Sequence, residues 1–345
     1  MMSDHSAVEV IVFGKGYGES ILVGVNNKKY IVIDSFIETS SNLPMALKYF
    51  QDKMINPETI AGIICTHWDN DHVKGISEII SRHNSVLTIY LPIIFNNKRF
   101  LEYLNLLSND EYKSANEFSR VVNLSRKGKC KLKFILADKI LLGKEIAEPS
   151  FQIKALSPND KQYEDFLSSV VIPRAGDKKR RLLSNENTLS AVTYIETLFG
   201  SILLGGDLEN SPHGGWKDIC DNYYEKYKSH IFKVPHHGSK NGYYADTWNL
   251  LLENPISIIT RFNNSHLPTK EMIDEIKKTS SDVYIIGEEP KRDKSILKDI
   301  KKYDKDSLIS SVIILDSKYG YVKLTKSDLQ EDWQVETFGA VKKVQ

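Results

Sequence analysis

Two strand-rich stretches, each followed by sequence with helical patterning, divide this chain of 345 residues, and strands and helices do not alternate strictly along it. That order argues against a doubly wound parallel sheet and for two mixed sheets packed face to face with helices outside, an αββα sandwich. The first stretch opens as a meander: VEVIVF, the Gly-rich turn GKGYGES, ILVGV, and YIVID ending at Asp34. Residues 44–51 read as a short helix, 60–65 as a buried strand, 73–82 as a helix and 99–124 as a longer helical stretch. KLKFIL and QIKALSP read as further strands. The second stretch begins after the polar run RAGDKKRRLLSNEN (174–187), with TLSAVTYIET and SILLGGD paired around Phe199-Gly200. Helical patterning over 215–227, 245–252 and 271–278 separates the strands HIFKVP, ISIIT and VYIIG. VIILDSKYGYVKL closes the pattern as a hairpin. One domain over residues 1–345 is expected, with a core over about 8–325, a helical insertion over about 98–130 and a short tail over about 326–345.

Composition narrows the function classes. Lys and Arg number 46 against 45 Asp and Glu, a net charge of +1, so no global field of one sign draws the chain to nucleic acid or membrane. The three cysteines form no CxxC pair, which argues against a disulfide framework and for a reducing compartment. The start lacks a signal-peptide pattern, and no apolar run approaches the roughly 18–20 residues that span a bilayer. A cytoplasmic protein without a membrane segment is expected.

Chemistry concentrates where apolar runs end. THWDNDH places His67, Asp69, Asp71 and His72 straight after a buried strand, where imidazole and carboxylate suit a divalent ion of the zinc, manganese or iron range. The alternative is a polar loop in which Asp71 caps the next helix. Asp207 ends SILLGGD behind Gly205 and Gly206, which permit close backbone approach. The loop VPHHGSKNG carries His236, His237, Ser239 and Lys240, and NNSHLP carries His266, a residue type that more often sits solvated in such a loop. All of these lie at C-terminal ends of strand-like runs, where layered α/β folds gather functional groups.

HxDxDH at 67–72, the hairpin FGKGYGES, LLGGDLE at 203–209, VPHHGS at 234–239 and HLP at 266–268 together resemble the metallo-β-lactamase superfamily, over about residues 8–320. The soluble hydrolase domain of ComEC-type DNA-uptake proteins is the nearest likeness, supported also by LSP at 156–158 and NENTLS at 185–190; GDLEN followed by a double His is similar to the superfamily's phosphorylcholine esterases. Three positions depart from the pattern. Asp69 stands where the usual HxHxDH has His. The His usually found between that motif and the GD strand has no counterpart, since His83 lies in the helix just after the motif and Asn187 only near the place. Ser265-His266-Leu267-Pro268 replaces Gly-His-Pro.

The resemblance implies a metal-dependent hydrolase with two divalent ions, zinc or manganese. His67 and Asp69 would hold one; Asp71, His72 and one of the paired histidines, His237 in preference to His236, the other; Asp207 would bridge them. A metal-bridging hydroxide would be the nucleophile, for two cations about 3.5–4 Å apart lower the pKa of a shared water toward neutrality. Asp71 counts among both ligands and catalytic groups, and His236, His266 or Lys240 would protonate the leaving group or clamp an oxyanion. Ser239 and Asn187 are candidate substrate contacts. The likeness and the basic runs at 178–181, 291–294 and 298–302 favour a phosphodiester substrate, DNA or RNA. Two other readings stand beside this nuclease or phosphodiesterase: hydrolysis of a carboxyl ester, thioester, lactone or lactam, and a non-catalytic binding or regulatory module with a degenerate metal site.

Overall fold

The computed structural model describes residues 7–26, 29–102, 113–143, 151–169, 186–211, 214–289 and 318–344. Two eight-stranded sheets dominate these residues. From edge to edge the first runs Gln334–Gly339, Gly320–Lys326, Val8–Gly14, Glu19–Val25, Lys29–Ile33, Ile60–Ile64, Leu87–Pro92 and Cys130–Ile135. The second runs Val341–Val344, Asp282–Ile286, Leu252–Thr260, Ser229–Lys233, Gly200–Leu204, Thr193–Thr197, Gln152–Ala155 and Ile140–Leu142. Each is mixed: the last four strands of the first sheet are parallel, as are the four from Gly200–Leu204 to Asp282–Ile286 in the second.

The strands read as nearly unbroken apolar runs because both of their faces are covered. Val10 and Val12 pack between the sheets with Ile64, Ile202, Ile231 and Ile258, whereas their neighbours Ile11 and Phe13 face an outer cluster. That cluster takes in the helices Met45–Lys53, Ile76–Arg82 and Lys113–Arg126 through Phe50, Ile79, Ile80 and Phe118. On the far side Leu203, Phe232 and Ile259 face the helices Trp216–Tyr223, Ala245–Leu250 and Lys270–Lys278. The expected αββα sandwich is therefore observed. All three cysteines are buried and free. Among the described residues no helix is long and apolar enough to cross a membrane.

Three local readings differ from expectation. The helix expected over 73–82 is two, Asn70–Val73 and Ile76–Arg82, broken at Gly75; its φ of 97° is left-handed, and a Cβ there would lie 2.7 Å from Ile37 Cδ1. The helix Asp160–Ser169 was not anticipated, although its start carries a capping box: Gln162 N donates to Asn159 Oδ1 (2.8 Å) and Asn159 N to Gln162 Oε1 (2.9 Å). The final residues are two edge strands and not a tail, one closing each sheet. Their alternating charged positions stay largely exposed, which is why WQVETFGAVKKV looks like a polar terminus. Within the helical insertion, Lys113–Arg126 is a helix and residues 98–102 are helical, while most of the polar run 174–187, the basic runs 178–181, 291–294 and 298–302, and the first strand of the last hairpin lie outside the described residues.

Candidate metal centre

Five parallel strands deliver the centre from their C-terminal ends. Lys29–Ile33 leads into Asp34, Ile60–Ile64 into Thr66, His67 and His72, Gly200–Leu204 into Asp207, Ser229–Lys233 into His236 and His237, and Leu252–Thr260 supplies Thr260. The Gly205-Gly206 pair acts as expected. Gly206 has φ 51°, and a Cβ on it would stand 2.6 Å from Ser190 Oγ, the hydroxyl that accepts from Asp207 N at 2.9 Å.

Three fully buried imidazoles converge on one carboxylate oxygen. Asp207 Oδ2 lies 3.9 Å from His67 Nε2, 3.5 Å from His72 Nε2 and 3.5 Å from His237 Nε2. Asp71 Oδ2 stands 3.5 Å from His72 Nε2 and 3.4 Å from His237 Nε2. None of these three nitrogens has a hydrogen-bond partner, nor has Asp207 Oδ1.

The opposite nitrogens decide the tautomers. His237 Nδ1 lies 3.1 Å from the Thr260 carbonyl oxygen, which only accepts, so Nδ1 carries the proton. His72 Nδ1 donates to Asp34 Oδ2 at 2.9 Å. Thr66 Oγ1 donates to the same Asp34 oxygen at 2.6 Å, and thereby accepts from His67 Nδ1 at 3.0 Å. Each Nε2 thus turns a lone pair toward carboxylate oxygens, an arrangement stable only around positive charge. The electrostatics of the cage make the same demand. Burial opposes charge on His72, yet Asp207 and Asp71 push its pKa well above the usual His range. Burial likewise works against ionised Asp207, and His72 and His237 hold it well below the usual carboxylate range; Asp71 is drawn down to about 2, burial again outweighed by His72 and His237. Burial and the neighbouring His72 lower His67. The donor set fits divalent cations, with buried imidazoles and carboxylates gathered together and the imidazoles' orientation fixed from behind.

Asp34, met in the sequence only as the end of a motif strand, is that orienting group. Replacing it with asparagine is expected to weaken metal affinity about 10–100-fold. Calorimetric titration of the metal-stripped variant with manganese or zinc checks this.

The other expected residues fall into distinct places. Asp69 is half-exposed, 3.9 Å from His67 Nε2. His236 faces away from the cage into a second cluster: its Nδ1 is 2.9 Å from Glu209 Oε1 and from Ser239 Oγ, and its Nε2 is 3.3 Å from Asn187 Nδ2. Both His236 (φ 45°) and His237 (φ 54°) are left-handed, a costly backbone for non-glycine residues that turns adjacent imidazoles into different clusters. Burial works against charge on His236, but Glu209, with Asp207 behind it, raises its pKa. Lys240 lies exposed at the loop end. His266 is exposed too, and lines a cleft of about 650 Å³ with Arg261, Lys270, Lys342, Asp274 and Glu289 among others.

Sequence reasoning missed the groups beneath the cage. Lys233 is fully buried, its Nζ 2.5 Å from Glu19 Oε2 and 3.8 Å from Asp207 Oδ1, and it donates to Gly206 O at 3.1 Å. Thr260 Oγ1 donates to Glu19 Oε2 at 2.6 Å. A lysine inside the apolar run HIFKV was the available signal. Glu186, one position before Asn187, was also passed over. Its carboxyl hydrogen-bonds with Asp69 and with the Trp68 side chain, and burial together with the Asp69 carboxylate raises its pKa to about 9.

Residues 13–125 match the family model of the Metallo-beta-lactamase superfamily, a span that holds Asp34, His67, Asp69, Asp71 and His72. Over that span the chain resembles this superfamily. Asp207 and His237, which complete the centre, lie beyond the matched span. Among solved structures the chain is similar to Zn(2+)-bound PqqB from Methylobacterium extorquens, with 10% identity over 79% of this chain and 85% of that one and a TM-score of 0.44. It is also similar to human tRNase Z, short form, with 12% identity over 78% and 88% of the two chains and a TM-score of 0.38. No curated protein sequence matches it.

Proposed function

We propose that this protein is a metal-dependent phosphodiester hydrolase, a phosphodiesterase or nuclease. The convergence of three partnerless, fully buried Nε2 atoms on Asp207 Oδ2 carries the metal-dependent part of that reading. His67, Asp69 and Asp207 would hold one divalent ion, and Asp71, His72, His237 and Asp207 a second, zinc or manganese. Such ions would supply Lewis acidity at a phosphoryl oxygen of the substrate and a water nucleophile ionised near neutral pH.

The chain's own residues do the rest. Asp34, Thr66 and Thr260 hold the three imidazoles with their lone pairs inward. Glu209 holds His236 by Nδ1 and favours its charged form, which makes His236 the candidate to give a proton to the departing oxygen. In the cleft at the end of the strand whose Thr260 holds His237, Arg261, Lys270 and Lys342 outnumber Asp274 and Glu289, and this supports an anionic substrate, DNA or RNA, over a neutral ester. The motif likeness to ComEC-type hydrolase domains supports the same choice.

Cleavage of single-stranded and double-stranded DNA, RNA and bis-p-nitrophenyl phosphate, with manganese or zinc added, tests the proposal. Turnover of at least one of these is expected, with a fall of about 10²–10³-fold in Asp71→Ala. Turnover of carboxyl esters or lactones alone would move the site to the carboxyl-ester class. Metal binding without turnover of either class would make it a regulatory module.

A further inference from the structure

We propose that Tyr17, from the Gly-rich hairpin between the strands Val8–Gly14 and Glu19–Val25, is a substrate-binding residue of this centre whose phenolic O–H donates to a non-bridging oxygen of the phosphodiester. The inference rests on the reading of the protein as a metal-dependent phosphodiester hydrolase and deepens it by giving that hairpin a chemical role.

Two contacts place the tyrosine across the edge of the centre. Its hydroxyl oxygen accepts from Asn70 Nδ2 at 2.9 Å, and Asn70 stands between the proposed ligands Asp69 and Asp71. Its ring lies 5.6 Å from that of Phe262, which in turn stacks on the proposed ligand His237 with centroids 5.0 Å apart and an interplanar angle of 24°. Tyr17 thus joins the HxDxDH loop to the loop that follows Thr260, and its side chain stays half-buried rather than enclosed. Asn263, the neighbour of Phe262, already lines the cleft of about 650 Å³ that holds Arg261, Lys270 and Lys342. The tyrosine therefore sits at the junction of cage and cleft, the position that an anionic chain with its reacting phosphate at the cage would pass.

The hairpin holds the phenol in place before any substrate arrives. Gly16 O accepts from Asn263 N at 2.8 Å, and on the other side Lys15 Nζ donates to Ile37 O at 3.1 Å and to Thr39 Oγ1 at 2.7 Å. A donor fixed in this way needs no reorganisation when charge develops on the oxygen it meets.

The proton of that hydroxyl is available. A phenol has one proton to give and lone pairs to receive, and an amide nitrogen only donates, so Asn70 occupies a lone pair of Tyr17 and leaves the proton. Among the described residues no acceptor takes it. Tyr30 shows the contrast within the same molecule: buried in the core, it spends its proton on Glu9 Oε1 at 2.5 Å. The non-bridging oxygens of a phosphodiester only accept and are charged, which makes them strong partners for such a donor.

The experiment compares wild type with Tyr17→Phe, full chain and loaded with manganese, in three measurements: manganese affinity by calorimetry, binding of inorganic phosphate to the loaded protein by calorimetry, and kcat/KM for bis-p-nitrophenyl phosphate. Phenylalanine keeps the ring against Phe262 and removes only the hydroxyl, and circular dichroism melting shows that the variant is folded. Manganese affinity is expected to be unchanged, phosphate to bind about 10-fold more weakly, and kcat/KM to fall by about 10–100-fold. Wild-type values of all three in Tyr17→Phe would overturn the role of Tyr17 and leave the hydrolase reading intact. A loss of manganese affinity alongside the other two would make Tyr17 a support of the cage and overturn the substrate contact. A wild-type chain that binds manganese but neither binds phosphate nor cleaves the diester would overturn the phosphodiester reading and the role of Tyr17 with it.

Discussion

Replacing Asp207 with asparagine is expected to abolish tight binding of divalent metal and to lower hydrolytic turnover by about 10³-fold or more, equivalent to about 4 kcal/mol of transition-state stabilisation. The size follows from position. Asp207 Oδ2 alone faces all three partnerless Nε2 atoms, so the change removes the carboxylate common to both halves of the centre, whereas Asp69→Asn or Asp71→Asn touches one half each. The asparagine keeps the shape, and the Ser190 Oγ bond to the backbone of residue 207 survives. Folding should therefore persist while metal content falls. Elemental mass spectrometry and turnover of bis-p-nitrophenyl phosphate, measured on the same preparation, check the result. An Asp207→Asn protein that retained both metal and rate would remove the bridging carboxylate from the mechanism.

The largest effect on stability is expected from Lys233→Met. Lys233 and Glu19 form an ion pair with side chains 0% and 1% exposed, and the lysine also reaches toward Asp207. Removing the ammonium alone leaves the buried Glu19 carboxylate uncompensated and takes a positive charge from beneath a cage already crowded with acids. Loss of one partner of a buried pair costs about 3–5 kcal/mol. At about 2–4 °C per kcal/mol, the midpoint of thermal unfolding should drop by about 6–20 °C. The double variant Glu19→Gln/Lys233→Met should recover much of this loss, because it removes both charges together. Calorimetry on metal-stripped protein separates the effect from metal binding, and a Lys233→Met protein melting within about 2 °C of wild type would show that the pair carries little of the stability.

The parts of this molecule legible in its sequence are those set by local pattern. VEVIVF, ILVGV and HIFKVP could only be strands covered on both faces, and THWDNDH, GGD and HHGS stood out because such residues rarely end apolar runs without a chemical reason. What stayed hidden depends on partners distant in the chain. Glu19 means little until Lys233, 214 positions later, lies 2.5 Å from it in an adjoining sheet. Asp34 was visible as the end of a strand, but its hold on His72 appears only when two parallel strands are laid side by side. Glu186 closes a polar run, and its contact with Asp69 spans more than a hundred residues. The two final strands escaped notice for the opposite reason: as edges they bury little, so their composition resembles that of a loop.

The central claim is that the cage is a dinuclear metal site, and its most direct test is the metal content of the purified full-length chain by elemental mass spectrometry, before and after incubation with manganese or zinc and removal of the excess. Two divalent ions per chain are expected. Fewer than one per chain, even after incubation, would contradict the account and with it the hydrolase reading.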